Sequence, residues 1–165
     1  MSIIIGFSKA RSPWKLGSKA IQLADARDYS HCYIRYVCSD TNVELIAQAS
    51  HGFVNLVFSD TFKIDNIIVK EYLLECTDAE RLSMLIFIQK SLGKPYSKFQ
   101  LLCIAIKKVF KFEIKSYNKD KYYICSEFAA RVCSISGIQV PDNLDYIEPT
   151  DLDTILSMVK TAVLI

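Results

Sequence analysis

Hydrophobic and polar positions along this chain change period twice. Residues 2–7 (Ser-Ile-Ile-Ile-Gly-Phe) are a short β-branched run and read as a strand. Ser12-Pro13 then offers an N-cap followed by proline at the first helical position, and a helix over about 13–26 puts Leu16, Ala20, Ile21 and Leu23 near one face. Four strand-like runs follow at 31–37, 43–49, 52–58 and 67–74, the first two joined by the turn-forming Ser39-Asp40-Thr41-Asn42. Together they read as an antiparallel meander. The period then becomes helical. Thr77-Asp78-Ala79-Glu80 has the form of a capping box, opening a helix that stops at Gly93. Ser97 caps a second helix to about residue 112, with Lys107, Lys108 and Lys111 near its end, where they complement the dipole. Residues 118–121 form a polar loop. A third helix runs over about 125–136 to Gly137, a weaker one starts near Thr150, and 161–165 reads as a final strand.

This order predicts an α+β fold: an antiparallel β-sheet, largely a meander, packed against helices. The 165 residues fit one domain, and no repeat, low-complexity tract or linker divides them. A hydrophobic fraction of 51% supplies a sizeable core and excludes global disorder. A net charge of +2 with interspersed signs predicts no strong attraction to nucleic acid. The opening run has no basic lead and is too short for a signal peptide, and no apolar stretch reaches the roughly 18–20 residues that span a bilayer. A soluble, cytoplasmic protein is therefore expected. The six cysteines then read as reduced thiols. With no C-x-x-C and only two histidines, neither a zinc site nor another cofactor is expected.

Cys125 lies where an extended apolar stretch, Tyr122-Tyr123-Ile124, meets a helix. In the first turn, unpaired N–H groups and the positive dipole end stabilise a thiolate, and those N–H groups can also hold an oxyanion. The competing reading is a small buried apolar side chain, the commoner fate of cysteine; the other five cysteines read as structural. A thiol nucleophile needs a nitrogen base. His31, opening a strand, is the candidate, and His51 in the turn-like Ser50-His51-Gly52 is its rival. Gln48 on the neighbouring strand is the candidate to orient the imidazole, with Glu44 on the same face as the alternative. Tyr96 and Tyr33 are candidate substrate contacts. Glu127, near a helix start, reads as a group complementing the dipole.

At these residues the sequence resembles the circularly permuted branch of the NlpC-type papain-like superfamily, the YiiX/YaeF-like amidohydrolases. The matching segments are Ser30-His31-Cys32-Tyr33-Ile34, Leu45-Ile46-Ala47-Gln48-Ala49 with Gly52-Phe53-Val54, and Gly93-Lys94-Pro95-Tyr96. Tyr123-Ile124-Cys125-Ser126-Glu127-Phe128 and Pro149-Thr150-Asp151-Leu152 complete the series, which covers roughly residues 28–152. The resemblance implies Cys125 as nucleophile, His31 as base, and a third polar residue, often Glu in the family, falling on Gln48. It implies a cysteine peptidase or amidase acting on an amide-bearing substrate: a peptide, isopeptide or peptidoglycan-type bond. Two rivals stand beside it. One is a lipid- or thioester-directed acyl hydrolase or transferase, for which the apolar and basic positions of residues 98–112 would supply a weak membrane-surface contact. The other is a non-catalytic interaction module.

Overall fold

The computed structural model describes residues 2–11, 28–38, 41–111 and 121–165, with the side chains of residues 108 and 109 excepted. The helix expected over 13–26, half of the turn at 39–42 and most of the loop at 118–121 lie outside the described residues.

A six-stranded antiparallel sheet organises the chain. Its strands are β1 (Ile3–Ala10), β2 (His31–Val37), β3 (Glu44–Ser50), β4 (Phe53–Phe58), β5 (Asn66–Leu74) and β6 (Ala162–Leu164), in spatial order β4-β3-β2-β1-β5-β6. The expected meander holds for β2, β3 and β4 and then fails. β5 crosses to the far side of β1, because the short helix α1 (Ser59–Asp65) carries the chain back across one face. Sequence periodicity gave no sign of α1: it is seven residues long and Phe58 supplies no side-chain cap. The β3–β4 turn is as expected, with His51 and Gly52 at φ 53° and 97°, a pair of left-handed residues that suits a two-residue hairpin.

Four longer helices follow the sequence signals closely. They are α2 (Asp78–Ser91), α3 (Lys98–Phe110), α4 (Cys125–Ile135) and α5 (Pro149–Met158). The Thr77–Glu80 capping box forms in full, and Ser97 accepts from the Gln100 N–H at 3.1 Å. Gly93 and Gly137 end α2 and α4 at φ 79° and 80°, the conformation for which glycine is suited. Among the described residues, no helix is long and apolar enough to cross a membrane.

The two faces of the sheet are built differently. Strand alternation sends Ile3, Ile5, Phe7, Cys32, Ile34, Ala47, Ala49 and Tyr72 into the main core, which Met84 and Ile88 of α2, Phe128, Ala129 and Ala130 of α4, and Leu152 of α5 complete. Asp153 of α5 is tied to this face by Tyr29 Oη at 2.6 Å, Tyr72 Oη at 2.7 Å and Lys70 Nζ at 2.7 Å. Burial pushes its carboxyl up, but these three donors outweigh burial and hold it below the usual range. On the opposite face, Phe62 of α1 covers Tyr33 and Ile46. There Glu71 accepts from Tyr33 Oη at 2.6 Å and from Arg35 Nε at 2.9 Å, and Arg35 also pairs with Glu44.

Gly6 lies directly across from Tyr33 in the β1–β2 register. A Cβ there would come within 2.1 Å of the tyrosine ring, which Phe62 and Glu71 hold on its other sides. Gly6→Ala is therefore expected to destabilise the fold by about 1–3 kcal/mol through overpacking, read as a lower urea midpoint at unchanged m-value.

Candidate active site

Close packing of α4 on β2 and β3 creates the site. Alanines meet across this interface, Ala129 and Ala130 on the helix and Ala47 and Ala49 in the core face of β3. Side chains this small let the helix lie near the sheet. The first residue of α4 is Cys125, and the end of the sheet it approaches is the start of β2.

Three residues act on the Cys125 thiol. The Cys32 thiol and backbone and the His31 imidazole favour its thiolate, and the Tyr96 hydroxyl feels its charge. Cys125 itself is 6% exposed. The hydrogen bond from Cys32 is the largest influence on the thiol. With the bond and charge of His31 it overcomes the burial penalty and holds Cys125 well below the ordinary thiol value. Cys133, two turns along the same helix, makes the useful contrast. Burial without such partners pushes its thiol up to about 12. Burial is common to both, so the hydrogen bonds decide the direction at Cys125. Burial, then the hydrogen bond and charge of Cys125, raise the Cys32 thiol; burial and Cys125 likewise raise the Tyr96 hydroxyl, so both remain protonated donors.

The imidazole is held from behind. His31 Nε2 and Gln48 Oε1 are 2.8 Å apart, and Gln48 is buried on β3, next to Ala47, the register partner of Ile34. A carbonyl oxygen only accepts, so Nε2 carries the proton of this bond and Nδ1 is left for the thiol. Glu44, the alternative, is engaged at the other end of β3 by Arg35 and by Lys63 at 3.6 Å. His51 is exposed in the β3–β4 turn with Nδ1 2.9 Å from Ser50 Oγ. The structure thus brings together Cys125, His31, Gln48 and Tyr96, and leaves Glu44 and His51 elsewhere.

Tyr96 arrives by a separate route. Gly93 N–H donates to Val54 O at 2.9 Å, Tyr96 N–H to Gly52 O at 2.8 Å, and Tyr123 N–H to Pro95 O at 3.1 Å. These bonds stitch the Gly93-Lys94-Pro95-Tyr96 segment between the start of β4 and the extended lead into α4. Ile124 gives α4 no side-chain cap, and the Phe128 N–H is paired back to Ile124 O at 3.0 Å. The N–H groups ahead of it, at Cys125, Ser126 and Glu127, are those a helix start leaves for other partners.

One expectation is corrected. Tyr33 is fully buried on the opposite face, its hydroxyl bound to Glu71, and has no surface to offer a substrate. Glu127 lies in the first turn of α4, where a carboxylate complements the dipole; it is also buried, accepts from Arg131 at 3.0 Å and from Gln100 at 3.0 Å, and burial pushes its carboxyl up against those bonds. Cys32 is the residue that sequence reasoning missed. Its place beside His31 was visible, but strand alternation assigns it to the core, and only the docking of α4 makes that core position adjacent to the nucleophile candidate.

No family model matches the chain, and no curated protein matches it. Among solved structures, the fold is similar to that of the metalloprotein YiiX (DUF1105) from Escherichia coli O157:H7, with 17% sequence identity and a TM-score of 0.54. The likeness covers 99% of this chain and 94% of that one, so the whole architecture is shared. In this chain, no group of three or more His, Cys, Asp and Glu among the described residues is suited to hold a metal ion.

The depressed Cys125 thiol has a direct kinetic signature. Its iodoacetamide alkylation rate, followed by peptide mass spectrometry, is expected to reach half its maximum below the ordinary thiol value of about 8.5 and to fall as pH drops through that lowered value. Substituting His31→Ala is expected to move the midpoint upward, because a group favouring the thiolate is lost.

Proposed function

We propose that the chain is a papain-like thiol hydrolase of the permuted NlpC type that cleaves an amide bond. One observation carries this reading: His31, whose imidazole favours the thiolate of Cys125 at the first position of an uncapped helix, is itself hydrogen-bonded to Gln48 at 2.8 Å. That is the arrangement of nucleophile, base and orienting group needed for acyl transfer.

In the proposed reaction, His31 takes the Cys125 proton and the thiolate attacks the carbonyl carbon. The first-turn N–H groups of α4 receive the developing oxyanion. The tetrahedral species collapses, the C–N bond breaks, and the imidazolium gives its proton to the departing amine. His31 then deprotonates a water, which attacks the thioester; the acid leaves and the thiol is regenerated. Gln48 keeps Nδ1 aimed at sulfur throughout. Tyr96, beside the sulfur, is positioned to donate to the reacting centre. Peptide, isopeptide and peptidoglycan-type amides are the proposed substrate class, on the strength of the motif resemblance.

A peptide-amide library and an electrophilic thiol probe test this. Wild type is expected to turn over and to label at Cys125, with Cys125→Ala inactive and unlabelled. His31→Ala is expected to lower kcat/KM by about 10²–10⁴-fold, the range for general acid–base catalysis. Equal probe labelling of wild type and Cys125→Ala would refute the assignment.

A second reading keeps the chemistry and changes the substrate to a lipid ester or thioester. It is favoured by the outer side of α3, where Phe99, Leu102 and Phe110 are 56%, 54% and 73% exposed beside Lys98 and Lys111. Such a basic-rimmed apolar stripe suits an anionic bilayer surface. This reading predicts co-sedimentation with vesicles of mixed phosphatidylcholine and phosphatidylserine that Phe99→Ser/Leu102→Ser abolishes. Failure of wild type to sediment would leave the amide reading alone.

A further inference from the structure

The side-chain amide of Gln48 can face His31 in two ways, and only one suits a base. With Oε1 toward the ring, as here at 2.8 Å, Nε2 of His31 carries the proton and Nδ1 is open to a thiol. With the amide reversed, its NH2 group would donate to the ring and the proton would sit on Nδ1. His31 could then take no proton from sulfur. The two ends of a glutamine amide differ little in shape, so its polarity is fixed by what the outer end bonds.

Asn55 of β4 stands at that outer end. It is the register partner of Gln48 in the β3–β4 ladder, so the two side chains share a face of the sheet. The backbone sets the polarity of Asn55 itself. Its Nδ2 donates to Ser50 O at 3.2 Å and to Phe53 O at 3.4 Å, the carbonyls flanking the β3–β4 turn. Its Oδ1 is thereby left as an acceptor, buried and meeting no donor. Opposite it, among the described residues, the Gln48 side chain bonds His31 alone, so Nε2 still has its protons to give. The neighbours on this face offer no rival. Tyr33 gives its hydroxyl to Glu71 at 2.6 Å, and the Phe62 ring, 6.3 Å from that of His31, is apolar.

We propose that Asn55 is a positioning residue: its Oδ1 accepts from Gln48 Nε2, which holds Gln48 Oε1 toward His31 and keeps the imidazole in its Nε2–H tautomer. Cross-strand partners hold their Cβ atoms about 4.5–5.5 Å apart, within reach of two facing amides. Terminal amide torsions are soft, so a turn of Gln48 brings donor and acceptor together. A buried acceptor facing an unused donor favours that closure, because either group left unmade is costly. Polarity then runs one way along the row. Asn55 donates to the turn carbonyls, Gln48 donates to Asn55, and His31 donates to Gln48, with no two donors opposed. The effect on turnover rests on the proposed hydrolase reading; the predicted tautomer does not.

The test uses the full chain labelled with 15N-histidine and long-range proton–nitrogen correlation spectra, recorded above the ordinary imidazole value of about 6.5. His51→Ala assigns the two rings. Wild type is expected to show His31 protonated on Nε2. Asn55→Leu should shift its signals toward the Nδ1–H form and lower kcat on an amide substrate by about tenfold or more, with KM within about twofold of wild type. Asn55→Asp keeps an acceptor opposite Gln48 and should retain the wild-type tautomer and most of kcat. An Asn55 that serves only the fold would weaken both variants and leave the tautomer unmoved. Identical His31 tautomers in wild type and Asn55→Leu overturn the proposal, as does a wild type protonated on Nδ1. If Asn55→Leu does not fold, Asn55→Val, better suited to a strand, takes its place. A tautomer that follows Asn55 in a protein that cleaves no amide removes the hydrolase reading alone. A hydrolase whose His31 tautomer ignores Asn55 removes this inference alone.

Discussion

The seating of the α4 N-terminus against the opening of β2 is the contact on which the rest depends. Nothing in the helix itself would hold Cys125 there, since Ile124 is not a capping residue. What holds it is packing. Phe128, Val132 and the two alanines of α4 are buried in the core beside the sheet, and α2 and α5 pack against the helix. Burial of that apolar face, at roughly 25 cal/mol per Å², fixes a helix start whose own backbone groups would favour water. The exposed partial charge of the helix end is thereby carried into the protein and aimed at a sulfur.

A thiolate in such a place must be compensated, and the structure supplies compensation on the anion's side. Cys32 contributes a thiol and a backbone N–H, Tyr96 contributes a hydroxyl, and His31 contributes its ring. Burial is the first cause of the upward displacement of Cys32 and Tyr96, and Cys125 adds to it, because donors beside an anion hold their protons more firmly. The opposite face of the sheet carries a separate polar system of Tyr33, Arg35, Glu44 and Glu71. That system ties β2, β3 and β5 together across β1. The strand carrying His31 is therefore gripped on both faces.

Much of this was legible in the sequence because local rules and tertiary structure agree. A capping box, N-cap residues, terminal glycines and strand alternation located β2 to β4 and α2 to α5 within a few residues, and the histidine-strand and cysteine-helix motifs named residues that the fold brings together. The failures are equally physical. The placement of β5 depends on α1, whose seven residues show too short a period to read. Gln48 and Glu44 share a strand face in any one-dimensional reading, and only the cations Arg35 and Lys63 at one end of β3 separate them. Tyr33 follows the same alternation as His31 but sits deeper along β2, where Phe62 seals it. Cys32 was hidden because its neighbour comes from a helix more than ninety residues away in the chain.

Under the proposed reading, a neutral Gln48 behind the imidazole is matched by this distribution of partners. A carboxylate behind the imidazole stabilises the cationic half of a thiolate–imidazolium pair. Gln48 orients the ring through one hydrogen bond and adds no charge. If the orienting group is neutral, the pair can still form provided the anionic half is better held, and that is where Cys32 and Tyr96 stand. On this view the site has moved its stabilisation from the base to the nucleophile.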